Sequence, residues 1–279
     1  MATLGLFGRI VQVEIGPEGG TGLRLGDLRV GFKVEHKASK TVSTASIRIY
    51  NPAPASMALL RAPLAAIRLL VGYEPLSRVI FQGPPVKDGI DLKVEGPDRV
   101  LCVDAADGGR GYGQAFVQIG MTTPTTFGQL LNLVLAQTLW SRGFIDPTIE
   151  AIVLPHGIAI TARPAEVMDR LAAAATPLGA DWFVRDNALY VVGKGQTTPE
   201  VAPLISSTQG NLLGSPTQTK AGVKLRALID ATMRPGRSIV LQAVGVSGAF
   251  VCKEVTFTGD SGFENPFYMD LVCKPVGVP

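Results

Sequence analysis

The sequence predicts a mainly β protein with an α+β insertion, in which two β-barrels flank a small helix-plus-hairpin module. Runs of alternating apolar and polar residues fill the first and last thirds of the 279-residue chain, as is typical of half-buried strands. The 32 glycines and 20 prolines follow no period and supply turns between these strands. Longer stretches with apolar residues at helical spacing lie in the middle third. Because 46% of the residues are apolar, the chain can bury a core, which excludes global disorder.

The first barrel domain is predicted at residues 1–110. Val11, Val13 and Ile15 share one face of its first strand. A proline near the start of residues 54–61 predicts a short helix there. The other strands predicted in this domain cover residues 28–37, 43–50, 66–73, 79–86 and 92–103. Their regular spacing is typical of a barrel or a sandwich.

Two helices are predicted in the inserted module, residues 111–195. The first should start at residues 123–124, where a threonine that can cap the helix precedes a proline. Its apolar face consists of Phe127, Leu130, Leu131, Val134, Leu135 and Leu139. The second helix covers residues 164–177, and its cap region is expected at Thr161 or Ala162.

A hairpin ends the module, and strands then return. Residues 180–192 are predicted to pair across Asp186 and Asn187, which tolerate the left-handed conformation of a tight turn. The second barrel domain is predicted at residues 196–279. It begins with a polar, linker-like stretch at residues 195–215. Its predicted strands cover residues 222–229, 238–244, 249–258 and 267–273.

The charge and cysteine counts exclude several classes of protein. The 26 basic and 23 acidic residues give a net charge of +3, so no dominant polyanion-binding surface is expected. Cys102, Cys252 and Cys273 are too few and too widely spaced for a disulfide framework, and they suit a reducing cytoplasm. We expect neither a signal peptide nor a transmembrane helix, because no apolar run has the required pattern or length.

Signatures of catalysis and of ligand binding are weak. The glycine cluster at residues 108–113 lacks the lysine–hydroxyl ending of a phosphate-binding loop, which favours a connector over a ligand loop. Four acids could be imagined as paired carboxylates for hydrolysis: Asp104, Asp107, Asp181 and Asp186. Asp186 is better explained as a turn residue and Asp181 as a polar residue at a strand edge.

The two histidines, His36 and His156, have no other ligand at metal-binding spacing, so both are predicted to be solvated. No catalytic, cofactor-binding or metal-binding residue is therefore predicted.

Basic residues concentrate between residues 24 and 48. They are Arg24, Arg29, Lys33, Lys37, Lys40 and Arg48. Arg29 and Lys33 share one face of an alternating strand, and they are the candidate channel-facing or interface residues. Two interpretations stay open: a solvated barrel exterior, or charge that faces a pore or an acidic neighbour.

Three turn-plus-strand patterns follow one another along the chain. The first consists of TASIRIYNP at 44–52, GY at 72–73 and IFQG at 80–83. The second is a helix at 167–172 followed by the hairpin at 179–192. The third consists of residues 213–225, PG at 235–236 and KEVTFTGD at 253–260. In this order they resemble the baseplate hub proteins of contractile phage tails and related injection machines. In that family, two tail-tube-like β-barrels flank an inserted module.

The resemblance implies a non-enzymatic protein of the virion that folds in the bacterial host cytoplasm. Three copies would form a ring of six barrels, which adapts the sixfold tail tube to the threefold spike and leaves a channel. DNA would pass through this channel transiently, without specific binding. The implied partners are other copies in a homotrimer, the tail spike protein, the tail tube protein, and the baseplate wedge and tape-measure proteins. Neither a cofactor nor membrane insertion is implied.

Two other functions stay open. A tail-associated cell-wall hydrolase or glycan-binding module would use aromatic residues of the insertion, namely Phe127, Trp140, Phe144, Trp182, Phe183 and Tyr190. A tail-tube or tube-terminator protein would share the barrel but would not need the insertion.

Overall fold

Alternating side chains in the first part of the chain form strands, as predicted. The computed structural model describes residues 8–17, 22–38, 42–62, 65–107, 116–121, 124–154, 156–175, 179–262 and 265–277. The first elements are β1 (Arg9–Pro17), β2 (Leu23–Leu25), β3 (Val30–Lys37), β4 (Thr44–Tyr50), α1 (Pro54–Leu60), β5 (Ala65–Tyr73), β6 (Leu76–Gly83), β7 (Pro85–Glu95) and β8 (Asp98–Ala106). Pro54 occupies the first turn of α1, where the missing N–H group has no helical partner to lose.

The stretch predicted as one strand at residues 92–103 is two strands. β7 and β8 pair antiparallel, with Glu95 opposite Asp98. Gly96 in the turn between them has a φ of +61°, a left-handed conformation that glycine adopts without steric cost. The prediction of a single strand was wrong because the glycine–proline pair in this stretch is a turn signal.

The middle part of the chain has its own core. Its elements are β9 (Val117–Met121), β10 (Thr125–Thr126), α2 (Phe127–Gln137), β11 (Ser141–Ile145), α3 (Pro147–Glu150), β12 (Val153–Leu154), β13 (Ile158–Ala162), α4 (Pro164–Ala175), β14 (Ala180–Arg185) and β15 (Ala188–Gly193). The buried residues of this core all lie between Val117 and Val191. Asp186 and Asn187 have φ angles of +50° and +59°, which confirms the predicted hairpin turn.

Of the two long helices of this module, α4 begins at Pro164 as predicted, whereas α2 begins at another residue than predicted. α2 is capped by Thr126, whose side chain accepts a hydrogen bond from the Gln129 amide while the Gln129 side chain accepts one from the Thr126 amide. Thr123 lies outside the described residues. Thr161 and Ala162 belong to β13, so the predicted cap region of α4 was also wrong. Within the described ranges, no helix is long and apolar enough to cross a membrane.

The last part of the chain is again made of strands. They are β16 (Leu204–Ser206), β17 (Leu212–Thr219), β18 (Gly222–Leu228), β19 (Ser238–Ala243), β20 (Val246–Asp260) and β21 (Phe267–Pro275). The predicted linker at 195–215 was partly wrong, because it contains β16 and the start of β17. β16 pairs parallel with β19, a long-range contact that a polar local pattern does not reveal.

Strands from both ends of the chain form one sheet. Eight of them follow the order β17-β18-β21-β20-β3-β4-β8-β7, and β16 and β19 pair beside β20. At the central joint, Val34 of β3 lies opposite Phe257 of β20. A second sheet, β2-β1-β5-β6, contributes Val13 and Ile67 to the same core. The mainly β fold is thus confirmed, while the division of the chain into three domains stays a prediction.

Candidate functional site

One face of the eight-strand path in this ten-stranded sheet is polar, and it carries both candidate basic residues. Along β3, Val34 is buried in the core and Lys33 points to the other side, where 57% of its side chain is exposed. Arg29 precedes β3 on the same side and contacts Asp260 of β20. Its guanidinium also lies 4.5 Å from the centre of the Tyr50 ring. The structure therefore places Arg29 and Lys33 on one exposed face.

Acids pair with several basic side chains of this polar face. Arg29 Nη2 lies 3.0 Å from Asp260 Oδ2, and Lys33 Nζ lies 2.6 Å from Glu35 Oε1. Arg226 Nε on β18 donates to Asp270 Oδ1 on β21 at 2.7 Å. Exposed pairs of this kind add little stability, but they cancel charge locally. Cations paired in this way attract a polyanion less strongly than uncompensated ones.

The Arg29–Asp260 pair also stabilises the charged form of both side chains. Partial burial disfavours the charged form of Asp260, but hydrogen bonds from Arg29 and from the Gly262 amide outweigh it and lower the pKa of this carboxyl. The hydrogen bond to Asp260 raises the pKa of Arg29. Both groups therefore stay charged over the neutral range, and the face keeps its local charge balance.

The two outer strands of the path, β7 and β17, leave open edges. Among the described residues, neither has a strand on its outer side. Leu92 and Val94 lie on the core-facing side of β7, yet they are 38% and 75% exposed because the core ends before the tip of the strand. Open edges with apolar side chains are templates for pairing with another chain.

The direction of the strands suits pairing between copies. Every neighbour in the eight-stranded path is antiparallel. With an even number of strands, β7 and β17 run in opposite directions. A β17 strand of one copy can therefore pair antiparallel with β7 of the next, so that the pattern continues across the joint.

Two of the four acids considered for catalysis, Asp181 and Asp186, are bound to bases. Asp181 accepts from Lys194 at 2.7 Å and from Lys253 at 3.0 Å. Asp186 accepts from Arg234 at 3.3 Å. Within the described ranges, no three His, Cys, Asp or Glu residues come close enough to hold a metal ion. The glycine cluster at residues 108–113 lies outside the described residues.

The two histidines differ in environment. His156 is exposed, as predicted. His36 is only 2% exposed, so the prediction of a solvated histidine was wrong there. It points into the core from β3, where the alternation His36–Val34–Phe32 gives it a buried position. This period-two pattern was the signal that sequence reasoning missed.

The aromatic side chains considered for glycan binding mostly pack inside the module. Phe127, Trp140 and Trp182 are at most 7% exposed. The Trp182 indole donates to Asp169 at 3.0 Å, which satisfies its only polar atom. Phe183 is also buried and stacks on Tyr190, with ring centres 5.4 Å apart. These rings are used for packing and not for a groove.

Comparisons with known proteins agree with this fold. No protein-family model and no curated protein sequence matches the chain. Among solved structures, a tail protein from Neisseria meningitidis MC58 is similar with a TM-score of 0.62 and 13% identity, over 98% of both chains. The 43 kDa tail protein of prophage MuSo2 from Shewanella oneidensis has a TM-score of 0.62 and 9% identity, over 95% of this chain and 98% of the other.

A third similar structure is an Escherichia coli component of the type VI secretion system, described as similar to the T4 bacteriophage tail proteins gp27 and gp5. Its TM-score is 0.53 with 11% identity, over 89% of this chain and 73% of that one. At these identities the likeness concerns the fold. The chain has the fold of a phage tail protein, as the hub resemblance implied.

Proposed function

We propose that the chain is the hub of a phage-tail baseplate, in which three copies join their eight-strand paths into a closed ring around a DNA channel. The observation that carries this proposal is the open sheet with a polar, charge-balanced face and two antiparallel edges, β7 and β17. Head-to-tail contacts between identical copies give rings when the rotation closes. Three copies supply three times eight strands, more than the 16–18 strands of porins that already enclose a water-filled channel.

In this ring, Arg29 and Lys33 lie on the wall of the channel. Their acidic neighbours Asp260 and Glu35 keep the wall from holding DNA during passage. The ring has no enzymatic task, and its partners are the tail tube on one side and the spike on the other, with wedge and tape-measure proteins nearby. The chain is then a virion component that folds in the cytoplasm of the bacterial host.

The mass of the purified chain in solution tests this proposal. Light scattering should give a mass near three times the 29.4 kDa of one chain, and electron microscopy should show particles with a central hole. A mass of one chain at all concentrations, or compact particles without a hole, would contradict the ring.

A further inference from the structure

Lysines collect at one end of the polar face of the eight-strand path. Lys37 is the last residue of β3, Lys224 lies near the start of β18, and Lys274 lies near the end of β21. Each of the three follows a buried residue of its strand, so alternation directs its side chain to the polar face. Lys220 is exposed in the turn between β17 and β18. These four residues are called the lysine end.

The strand register places the lysine end across four neighbouring strands. Val272 of β21 lies opposite Lys224 on one side and opposite Glu254 of β20 on the other. Glu254 in turn lies opposite Lys37. Lys274 follows Val272 by two residues and therefore shares its face. Three strand spacings of about 4.8 Å separate Lys224 from Lys37, so the row is about 14 Å long.

The lysine end carries more positive than negative charge. Among the described residues, none of its four lysines forms an ion pair. Glu254 is the acid in the row. Glu35, the next acid along β3, is bonded to Lys33, and Asp270, the next along β21, is bonded to Arg226. The charge balance around Arg29 and Lys33 therefore does not extend to this end of the face.

The surroundings of the row add positive charge. Lys253, which precedes Glu254 on β20, shares the Asp181 carboxylate with Lys194, so these three side chains carry a net positive charge. Asp104 of β8 is another acid on the polar face, and it lies two strands beyond β3. The acids near the lysine end are thus fewer than the lysines.

The opposite end of the same face is balanced. Its arginines are paired with acids, Arg29 with Asp260 and Arg48 with Glu95. The fork of an arginine suits a carboxylate in a fixed position, whereas a lysine is a flexible point charge that can reach phosphates at varying positions. The polar face therefore has a paired arginine end and a basic lysine end.

We propose that the lysine end contacts the phosphate backbone of double-stranded DNA without reading its sequence. Each DNA strand carries one phosphate per about 3.4 Å of helix axis, so a row about 14 Å long spans about four phosphates. The choice of DNA rests on the proposed function, because a ring would turn this face toward the channel. One rim of the channel would then hold DNA weakly, while the paired arginines let the rest of the wall release it.

A fluorescein-labelled DNA duplex of about 20 base pairs serves as the probe, and its anisotropy is measured with the full chain. Binding should saturate at about 50 mM salt, and the logarithm of the association constant should fall with the logarithm of the salt concentration with a slope of about −3. A second duplex of unrelated sequence should bind within about twofold. The double variant Lys224→Gln, Lys274→Gln should weaken binding about tenfold or more and reduce the slope by about two.

Two double variants serve as controls. Lys224→Arg, Lys274→Arg keeps the charge and should bind the duplex within about twofold of the wild type. Arg78→Gln, Arg170→Gln removes the same charge from exposed positions on β6 and α4, and it should bind within about threefold. Equal weakening by the two glutamine double variants, or no saturable binding up to about 100 μM protein, would overturn the proposal. Binding to phosphatidylglycerol vesicles but not to the duplex would also overturn it.

Light scattering of the same samples separates this proposal from the ring. A mass of one chain together with lysine-dependent DNA binding would contradict the ring and support the DNA contact. A mass of three chains, with equal DNA affinity in the wild type and in Lys224→Gln, Lys274→Gln, would support the ring and overturn the DNA contact.

Discussion

His36 is a buried histidine that the fold holds in its neutral form. Because the Ile80 carbonyl 2.8 Å away only accepts, His36 Nε2 carries the proton and donates to it, and Nδ1 accepts from the Ser43 hydroxyl at 2.9 Å. Burial and then the positive charge of Arg234 lower the pKa of His36 to about 4.

This shift makes stability depend on pH. In the unfolded chain the histidine takes up a proton near pH 6.5, whereas folded His36 does so only near pH 4. The free energy of unfolding should therefore fall by up to about 3 kcal/mol as the pH drops from about 6.5 to about 4. Urea unfolding of the wild type and of His36→Gln tests this, because the variant should lack this part of the decrease. A decrease of the same size in His36→Gln would assign it to other groups.

The three thiols should differ in reactivity. Cys252 lies opposite Cys273 in the β20–β21 pair, and both are buried. The hydrogen bond to Cys273 and then burial raise the pKa of the Cys252 thiol well above its usual range. We expect a thiol reagent to modify the partly exposed Cys102 in the native protein, and Cys252 and Cys273 only after denaturation. Rapid native modification of all three would contradict this burial.

At the scale of elements, Arg234 joins three parts of the chain. It is 8% exposed and donates to the carbonyls of Met233 and Val79 and to Asp186 in the β14–β15 turn. Arg234→Met would leave these acceptors and the Asp186 charge without their partner. We expect a loss of about 3–5 kcal/mol in the free energy of unfolding, measured with urea.

A substitution of an exposed arginine serves as the control for Arg234→Met. Arg226 pairs with Asp270 on the exposed face, so Arg226→Met should change the same free energy by less than about 1 kcal/mol. If both substitutions lower the free energy of unfolding equally, the buried contacts of Arg234 add no more stability than an exposed ion pair does.

Substitutions at the edge of β7 test whether the copies join through this strand. A Leu92→Glu, Val94→Glu double variant puts charge on the apolar side chains that the neighbouring copy would cover, and it should shift the light-scattering mass from three chains to one. Val244→Glu, at a 96% exposed position in the β19–β20 turn, should leave the mass unchanged. If the double variant keeps the mass of three chains, the copies do not join at this edge.

Local sequence patterns predicted an element correctly where its residue types favour one particular backbone conformation. Asp186 and Asn187 predicted the hairpin because both tolerate a positive φ. The start of α2 was missed, although Thr126 and Gln129 form a capping box that the sequence spacing contains. The β3–β20 joint could not be predicted, because period-two alternation shows that a strand is half-buried but not which distant strand it joins.

The candidate site depends on these long-range pairings. Arg29 and Lys33 could be placed on one strand face from the sequence. Their neutralisation by Asp260 and Glu35, and the outer positions of β7 and β17, follow only from the order of strands in the sheet.

At the scale of the whole molecule, the first and last parts of the chain share one sheet and one core. β3 and β20 join strands of the first and last parts into one sheet over a common core, while the middle module packs around a core of its own. In a single copy, no strand of the described ranges lies beyond either edge of this sheet. A ring of copies would complete it without adding any new element, and would turn its polar face into the wall of a channel.

A density map of the assembled chain, at a resolution that separates strands, tests this account most directly. We predict a threefold ring in which β17 of each copy pairs antiparallel with β7 of the next, and in which Arg29 and Lys33 face the central hole. An assembly in which β7 and β17 face solvent, or in which the polar face lies on the outside, would contradict the account.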